Sequence, residues 1–91
     1  TVQVSWSTAS EKDNRYFEIL RSTDGKEFVR VGIVYGAGTT NSQQNYSFFD
    51  EDLKGGTYYY MLNQVDFDGK SHLSDIRVIK LDYGNAIDVF P

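Results

Sequence analysis

The chain has 91 residues, 40% of them hydrophobic and 15% aromatic, with a formal charge of -4. That allows one domain with a modest core, since a chain of this size buries roughly 60 to 70% of its unfolded surface. Lys and Arg are scattered singly from Lys12 to Lys80, so there is no basic track for phosphates and no nucleic-acid partner is expected. Cysteine is absent, which excludes disulfides and thiolate metal sites. No stretch approaches the roughly 18 apolar residues of a membrane span, and no membrane insertion is expected. The chain opens on TVQVSW rather than a basic and apolar leader, so any export signal is expected outside this segment.

Apolar residues recur with a period of two. In TVQVSWS, Val2, Val4 and Trp6 alternate with Gln3 and Ser5, which predicts a half-buried strand. RYFEILRS puts Phe17 and Ile19 on one face and Glu18 and Leu20 on the other. Asp24-Gly25 then supplies turn chemistry before EFVRVGIVYG, and a hairpin is expected. GAGTTNSQQN, small and polar throughout, reads as an exposed loop, and YSFFDEDL as a short strand on which Tyr46 and Phe48 share a face. TYYYMLNQV and LSDIRVIKL flank DFDGKSH, a second hairpin whose connection is Asp66 to Lys70, with Gly69 at a positive φ. In TYYYMLNQ the preferred register turns Tyr58, Tyr60, Leu62 and Gln64 inward, because the opposite choice buries Asn63. The expected core is Val4, Trp6, Phe17, Ile19, Phe48, Tyr60 and Leu62. No stripe at helical spacing occurs, and six strands separated by turn signals predict an all-β antiparallel sandwich or barrel.

Trp6 on the first strand, Phe17 and Ile19 on the next, and LKGGTYYYML before the long penultimate strand resemble a fibronectin type III or immunoglobulin-like domain. The resemblance implies a β-sandwich of six to seven strands over residues 1–83, lacking the family's first strand. It also implies a corner in which a tyrosine hydroxyl bonds back to the backbone, with Leu53, Gly55, Gly56 and Tyr58 or Tyr59 in those parts. More narrowly, VSWSTASEKDNRYFEILRSTDGKEFVRVGIVYGAG, YSFFDED and GTYYYMLNQVDFDGKSHLSDIRVI look like the module that precedes the C-terminal sorting domain of type IX-secreted Bacteroidetes proteins. The closing IDVFP is similar to the start of that sorting domain, which makes 84–91 a linker and the beginning of a further domain. Implied by the resemblance are a secreted or cell-surface location, no catalysis, a monomeric state, and a spacer role whose partners are other domains of the same chain.

The single histidine, His72, lies beside a turn without a recognisable nucleophile and acid, so no catalytic residue is expected. Asp66 and Asp68, which the sandwich topology brings to the same end as the loop carrying Glu11 and Asp13, are with those two weak candidates for calcium ligands. The acids of an EF-hand are not in sequence there, and a solvated acidic rim is the favoured reading, with Asp24 and Asp50 to Asp52 forming another at the opposite end. Gly36-Ala37-Gly38 lacks a following Gly-Lys-Ser and predicts no phosphate loop. The loop before the last strand carries no Arg-Gly-Asp signal. Tyr59, Phe49, Phe67 and Tyr83 are the candidate exposed aromatics, which keeps a weak carbohydrate-binding module of a polysaccharide-active protein as an alternative. A calcium-stabilised adhesion module is a third reading. No cofactor is expected.

Overall fold

Val2, Val4 and Trp6 point inward along β1 (Val2–Thr8), and all three are buried. In the computed structural model, which describes residues 1–82 and the backbone of 86–89, this strand is followed by β2 (Glu11–Ser22), β3 (Val29–Thr40), β4 (Gln44–Asp50), β5 (Gly56–Asp66), β6 (Ser71–Leu73), β7 (Arg77–Leu81) and β8 (Ala86–Val89). Among the described residues these strands form two sheets. The smaller has the order β4-β1-β8; the larger runs β3-β2-β5, with β6 and β7 sharing the far edge of β5. Every pairing is antiparallel except that of β8 with β1. The fold is an immunoglobulin-like β-sandwich.

The pleat explains which side chains meet. Phe17 and Ile19 of β2 stand opposite Gln64 and Leu62 of β5, so Tyr58, Tyr60 and Leu62 face the smaller sheet and are buried, while Tyr59, Met61 and Asn63 face out. Leu53 packs on this core, and the Tyr58 hydroxyl donates to the Lys54 carbonyl at 2.6 Å. Of the two tyrosines open for the corner, Tyr58 therefore occupies it. Trp6 lies edge-on to Phe17 at 5.3 Å between ring centroids and is stacked on Tyr46 at 5.5 Å. Of the expected core, Phe48 alone is only half-buried. Its ring lies over Gly32, where a Cβ would come within 2.3 Å of it.

Three expectations about strand limits change. GAGTTNSQQN is not a loop over its whole length, because β3 continues through Thr40, with Gly38 opposite Asn14 and Thr40 opposite Glu11. At Gly36 the buried Asn14 requires a small residue, since a Cβ there would sit 2.4 Å from the Asn14 amide nitrogen. The run LSDIRVIKL does not make one strand; it breaks at Ser74 to Ile76 between β6 and β7. Finally, the stretch 84–91, expected as a linker and the start of a sorting domain, contributes β8 to the smaller sheet. There Ala86 stands opposite Val2 and Val89 opposite Ser5. Tyr83, Gly84, Asn85, Phe90 and Pro91 lie outside the described residues.

Replacing Trp6 by Ala empties the centre of the stack and should lower the unfolding free energy by about 3 to 5 kcal/mol. A urea titration showing a loss below about 1 kcal/mol would contradict this packing. Removing residues 84–91 strips the parallel ladder from β1. At about 1 kcal/mol per ladder hydrogen bond, the expected loss is about 1 to 3 kcal/mol by the same titration. No measurable loss would show that β8 is dispensable.

Candidate functional site

The most polar part of the interior is built from strand β4 and the two ends of β2. Tyr46 and Asp50 both lie on β4 and face the larger sheet. At one end, the buried Glu11 carboxylate accepts four hydrogen bonds: from the Tyr46 hydroxyl at 2.5 Å and the Thr8 hydroxyl at 2.8 Å on Oε2, and from the Asn14 amide at 2.6 Å and the Ala37 N–H at 3.0 Å on Oε1. At the other end, Asp50 accepts from Arg21 Nη1 on both oxygens, at 2.8 and 2.9 Å, and from the Tyr60 hydroxyl at 2.6 Å. Each carboxylate thus ties the two sheets together.

This arrangement decides what Glu11 can do. A carboxylate offers about four lone-pair sites, and here four donors occupy them. Glu11 therefore has no free oxygen for an ion or for proton abstraction, and the expectation that it sits in a loop beside Asp13 gives way to a buried strand position. Burial alone would raise its pKa. The bonds from Tyr46, Ala37, Thr8 and Asn14 favour the anion more strongly, so the net shift is downward from 4.5. Tyr46 is pushed up to about 12 by burial and then by its bond to the Glu11 carboxylate and that group's charge. Burial, followed by the bond to Asp50, likewise raises Tyr60.

The other acidic candidates shape turns. Asp13 adopts φ 54°. Its N–H is taken by the Thr39 hydroxyl at 3.0 Å, and its carbonyl accepts from the Phe67 N–H at 2.9 Å. The Asp66–Lys70 connection is closed by the Asp66 N–H donating to the Lys70 carbonyl at 2.8 Å and the Gly69 N–H to the Asp66 carbonyl at 2.9 Å. Gly69 sits at φ 89°, and the Asp68 carboxylate accepts from the Lys70 N–H at 2.9 Å. These are the bonds of a tight turn, with the short acidic side chain mimicking a backbone turn. Asp24 does the same for the β2–β3 connection, accepting from the N–H groups of Lys26 and Glu27 and from the Ser22 hydroxyl. The Glu27 and Lys26 N–H bonds hold its pKa down at about 2. Among the described residues, no group of three or more His, Asp or Glu side chains is placed to hold a metal ion.

His72 is exposed, with Nε2 3.8 Å from an Asp66 oxygen. The Ser74 hydroxyl donates to the Asp75 carbonyl and accepts from the Leu62 N–H, so its proton is not directed at the imidazole. Of the candidate exposed aromatics, Phe49 and Phe67 are exposed and Tyr59 is half-buried, while Tyr83 lies outside the described residues. Sequence reasoning missed the carboxylate ties, because their partners lie 29 and 35 residues apart. The available signal was Asp50, the last residue of a strand whose inward positions Tyr46 and Phe48 it continues.

Comparison with family models, curated proteins and solved structures found no match to this chain.

The folded pKa of Glu11 lies below the unfolded one, so its contribution to stability is in full force above the ordinary carboxylate range and is lost as pH falls through the depressed folded value. The Glu11→Gln variant should lose about 1 to 3 kcal/mol near neutral pH. Its urea midpoint should also fall less steeply than that of the parent between about pH 5 and about pH 2. Equal acid slopes for the two proteins would remove Glu11 as the linked group.

Proposed function

We propose that this chain is a non-catalytic accessory module of a secreted or cell-surface protein, a spacer that packs against other domains of the same polypeptide. In this reading it is a fibronectin type III-like module of the kind that precedes the sorting domain of type IX-secreted Bacteroidetes proteins. The observation that carries the proposal is the difference between the two outer faces of the sandwich. Among the described side chains of the smaller sheet, Gln3, Ser5 and Ser7 of β1 stand opposite Phe49, Ser47 and Asn45 of β4, polar apart from Phe49. On the larger sheet, Tyr35 lies beside Tyr16, Leu73 beside Asn63, and Val78 beside Tyr59, with Ile33 also exposed.

Exposed or half-buried apolar side chains on all five strands of this sheet are more than a solvated face requires, and patches of this kind mark contact surfaces. At its centre the Glu18 carboxylate accepts from Asn63 at 2.8 Å and from Arg30 at 3.4 Å, so it does not stand there as an unpaired charge. A module tied internally by two carboxylates and apolar on one outer face suits a rigid element set between other bodies. The resemblance noted in the sequence supplies the location and the neighbours.

Charged substitutions on this face, Tyr35→Glu together with Val78→Lys, should change the stability of the isolated chain by less than about 1 kcal/mol, since both side chains are exposed. In the parent protein the same pair should loosen the module, seen as faster limited proteolysis at its boundaries. Unchanged proteolysis in the parent would remove this face as the packing surface.

A further inference from the structure

A groove opens on the flank of the sandwich between β1 and the broken edge of the larger sheet, enclosing about 250 Å³. Trp6, Phe17 and Leu62 make its inner wall, and Gln64, His72 and Asp75 bring polar groups to it. The wall residues are core side chains, each less than a tenth exposed, whereas His72 and Asp75 are exposed. Apolar carbon at the base and convergent hydrogen-bonding groups at the mouth are the general anatomy of a small-molecule site. The indole N–H of Trp6 is enclosed and has no hydrogen-bond partner in the protein, although buried donors are nearly always paired.

The chemistry of the lining selects the ligand. No Lys or Arg lines the groove, Asp75 does, and the chain carries a net charge of -4, so an anionic ligand is disfavoured. Gln64 offers a carboxamide, His72 an imidazole and Asp75 a carboxylate, a set able both to donate to and to accept from hydroxyl groups. Aromatic and aliphatic carbon behind them suits the C–H face of a saturated ring. The volume lies below the range of drug-sized pockets, roughly 300 to 1,000 Å³, and fits a single ring rather than an extended chain. We infer that this groove is a binding site for one neutral pyranose unit, with its C–H face toward Trp6, Phe17 and Leu62 and its hydroxyl edge on Gln64, His72 and Asp75. The inference goes beyond the spacer role: the groove meets the apolar outer face at Leu73, but Gln64, His72 and Asp75, which select the ligand, are not among the apolar residues of that face.

Trp6 is the only tryptophan in the chain, so its indole reports directly on the site. The test is a ¹H–¹⁵N titration of the 91-residue chain with a panel of neutral methyl pyranosides at millimolar concentrations, alongside tryptophan fluorescence. At least one sugar should shift the Trp6 indole N–H and the amides of Leu62, Gln64, His72 and Asp75 in a saturable manner. Asp75→Ala and Gln64→Ala should each weaken that binding by about tenfold, the scale of one hydrogen bond to the ligand. Thermal melts of both variants should match the parent, which separates loss of the site from loss of the fold. No saturable shift with any sugar overturns the proposal, as do saturable shifts centred on Tyr35 or Phe49 instead. Preference for an organic cation over every sugar would also overturn it.

Discussion

The two sheets are held in one relative position by polar bonds at both ends of β4. Tyr46 reaches across to Glu11, and Asp50 reaches across to Arg21 and Tyr60. The two β4 residues are four positions apart, about 13 Å along an extended strand; Phe48 and its β1 partner Val4 lie between them, with Trp6 beside Tyr46 and Val2 beside Asp50. The apolar core is therefore bracketed by two charged ties. Hydrophobic contacts alone tolerate sliding, whereas a buried carboxylate must meet its donors or bear the full cost of desolvation. A shift of β4 by one residue would turn Tyr46 and Asp50 to solvent, leaving Glu11 without the Tyr46 hydroxyl and Arg21 without its carboxylate. Register in this sandwich is thus fixed by a few polar contacts that contribute more to specificity than to net stability.

The same logic explains why parts of the structure were legible from the chain and others were not. The alternation of Val2, Val4 and Trp6, of Phe17 and Ile19, and of Tyr58, Tyr60 and Leu62 is local, and it placed these side chains in the core without knowledge of any partner strand. The Asp24-Gly25 and Asp68-Gly69 connections were legible for a similar reason, since an acidic side chain next to glycine closes a turn within a few residues. Glu11 read as a loop acid because its burial depends on Tyr46, Ala37 and Thr8, two of which are more than two dozen residues away. Gly36 to Thr40 read as a loop because a run of small residues looks flexible in isolation. What makes it strand is its pairing with the start of β2, Gly38 opposite Asn14 and Thr40 opposite Glu11, with Asn14 leaving room at Gly36 for little more than glycine. β8 was missed because its pairing is with the first strand of the chain, the longest-range contact in the fold.

The two faces of the larger sheet divide the work. Its inner face carries the core and both carboxylate ties. Its outer face carries the exposed apolar side chains Ile33, Tyr35, Leu73 and Val78, with the Glu18, Asn63 and Arg30 cluster among them. Asn63 was expected to face out because burying it would cost a hydrogen bond. It does face out, yet its Nδ2 is bonded to Glu18 while its Oδ1 is enclosed and without a partner.

The flank groove follows from a single residue, Ser74. Where the run LSDIRVIKL would have paired continuously along β5, Ser74 instead satisfies Leu62 from both sides: its N–H donates to the Leu62 carbonyl at 2.8 Å, and its hydroxyl accepts from the Leu62 N–H at 2.8 Å. The backbone of β5 is thereby left with no orphan polar group at the point where the adjacent strand breaks. Because the edge is closed by one residue rather than by a continuous strand, the chain from Ser74 to Ile76 is released from the pleat. Ser74 and Asp75 can then form the rim of an opening while the core side chains Trp6, Phe17 and Leu62 form its base. An unbroken strand would have kept alternating side chains over that wall and filled the space. A serine that pairs with both backbone groups of its neighbour thus lets the sheet hold an interruption without an unsatisfied bond at Leu62, and the interruption opens the groove on this flank.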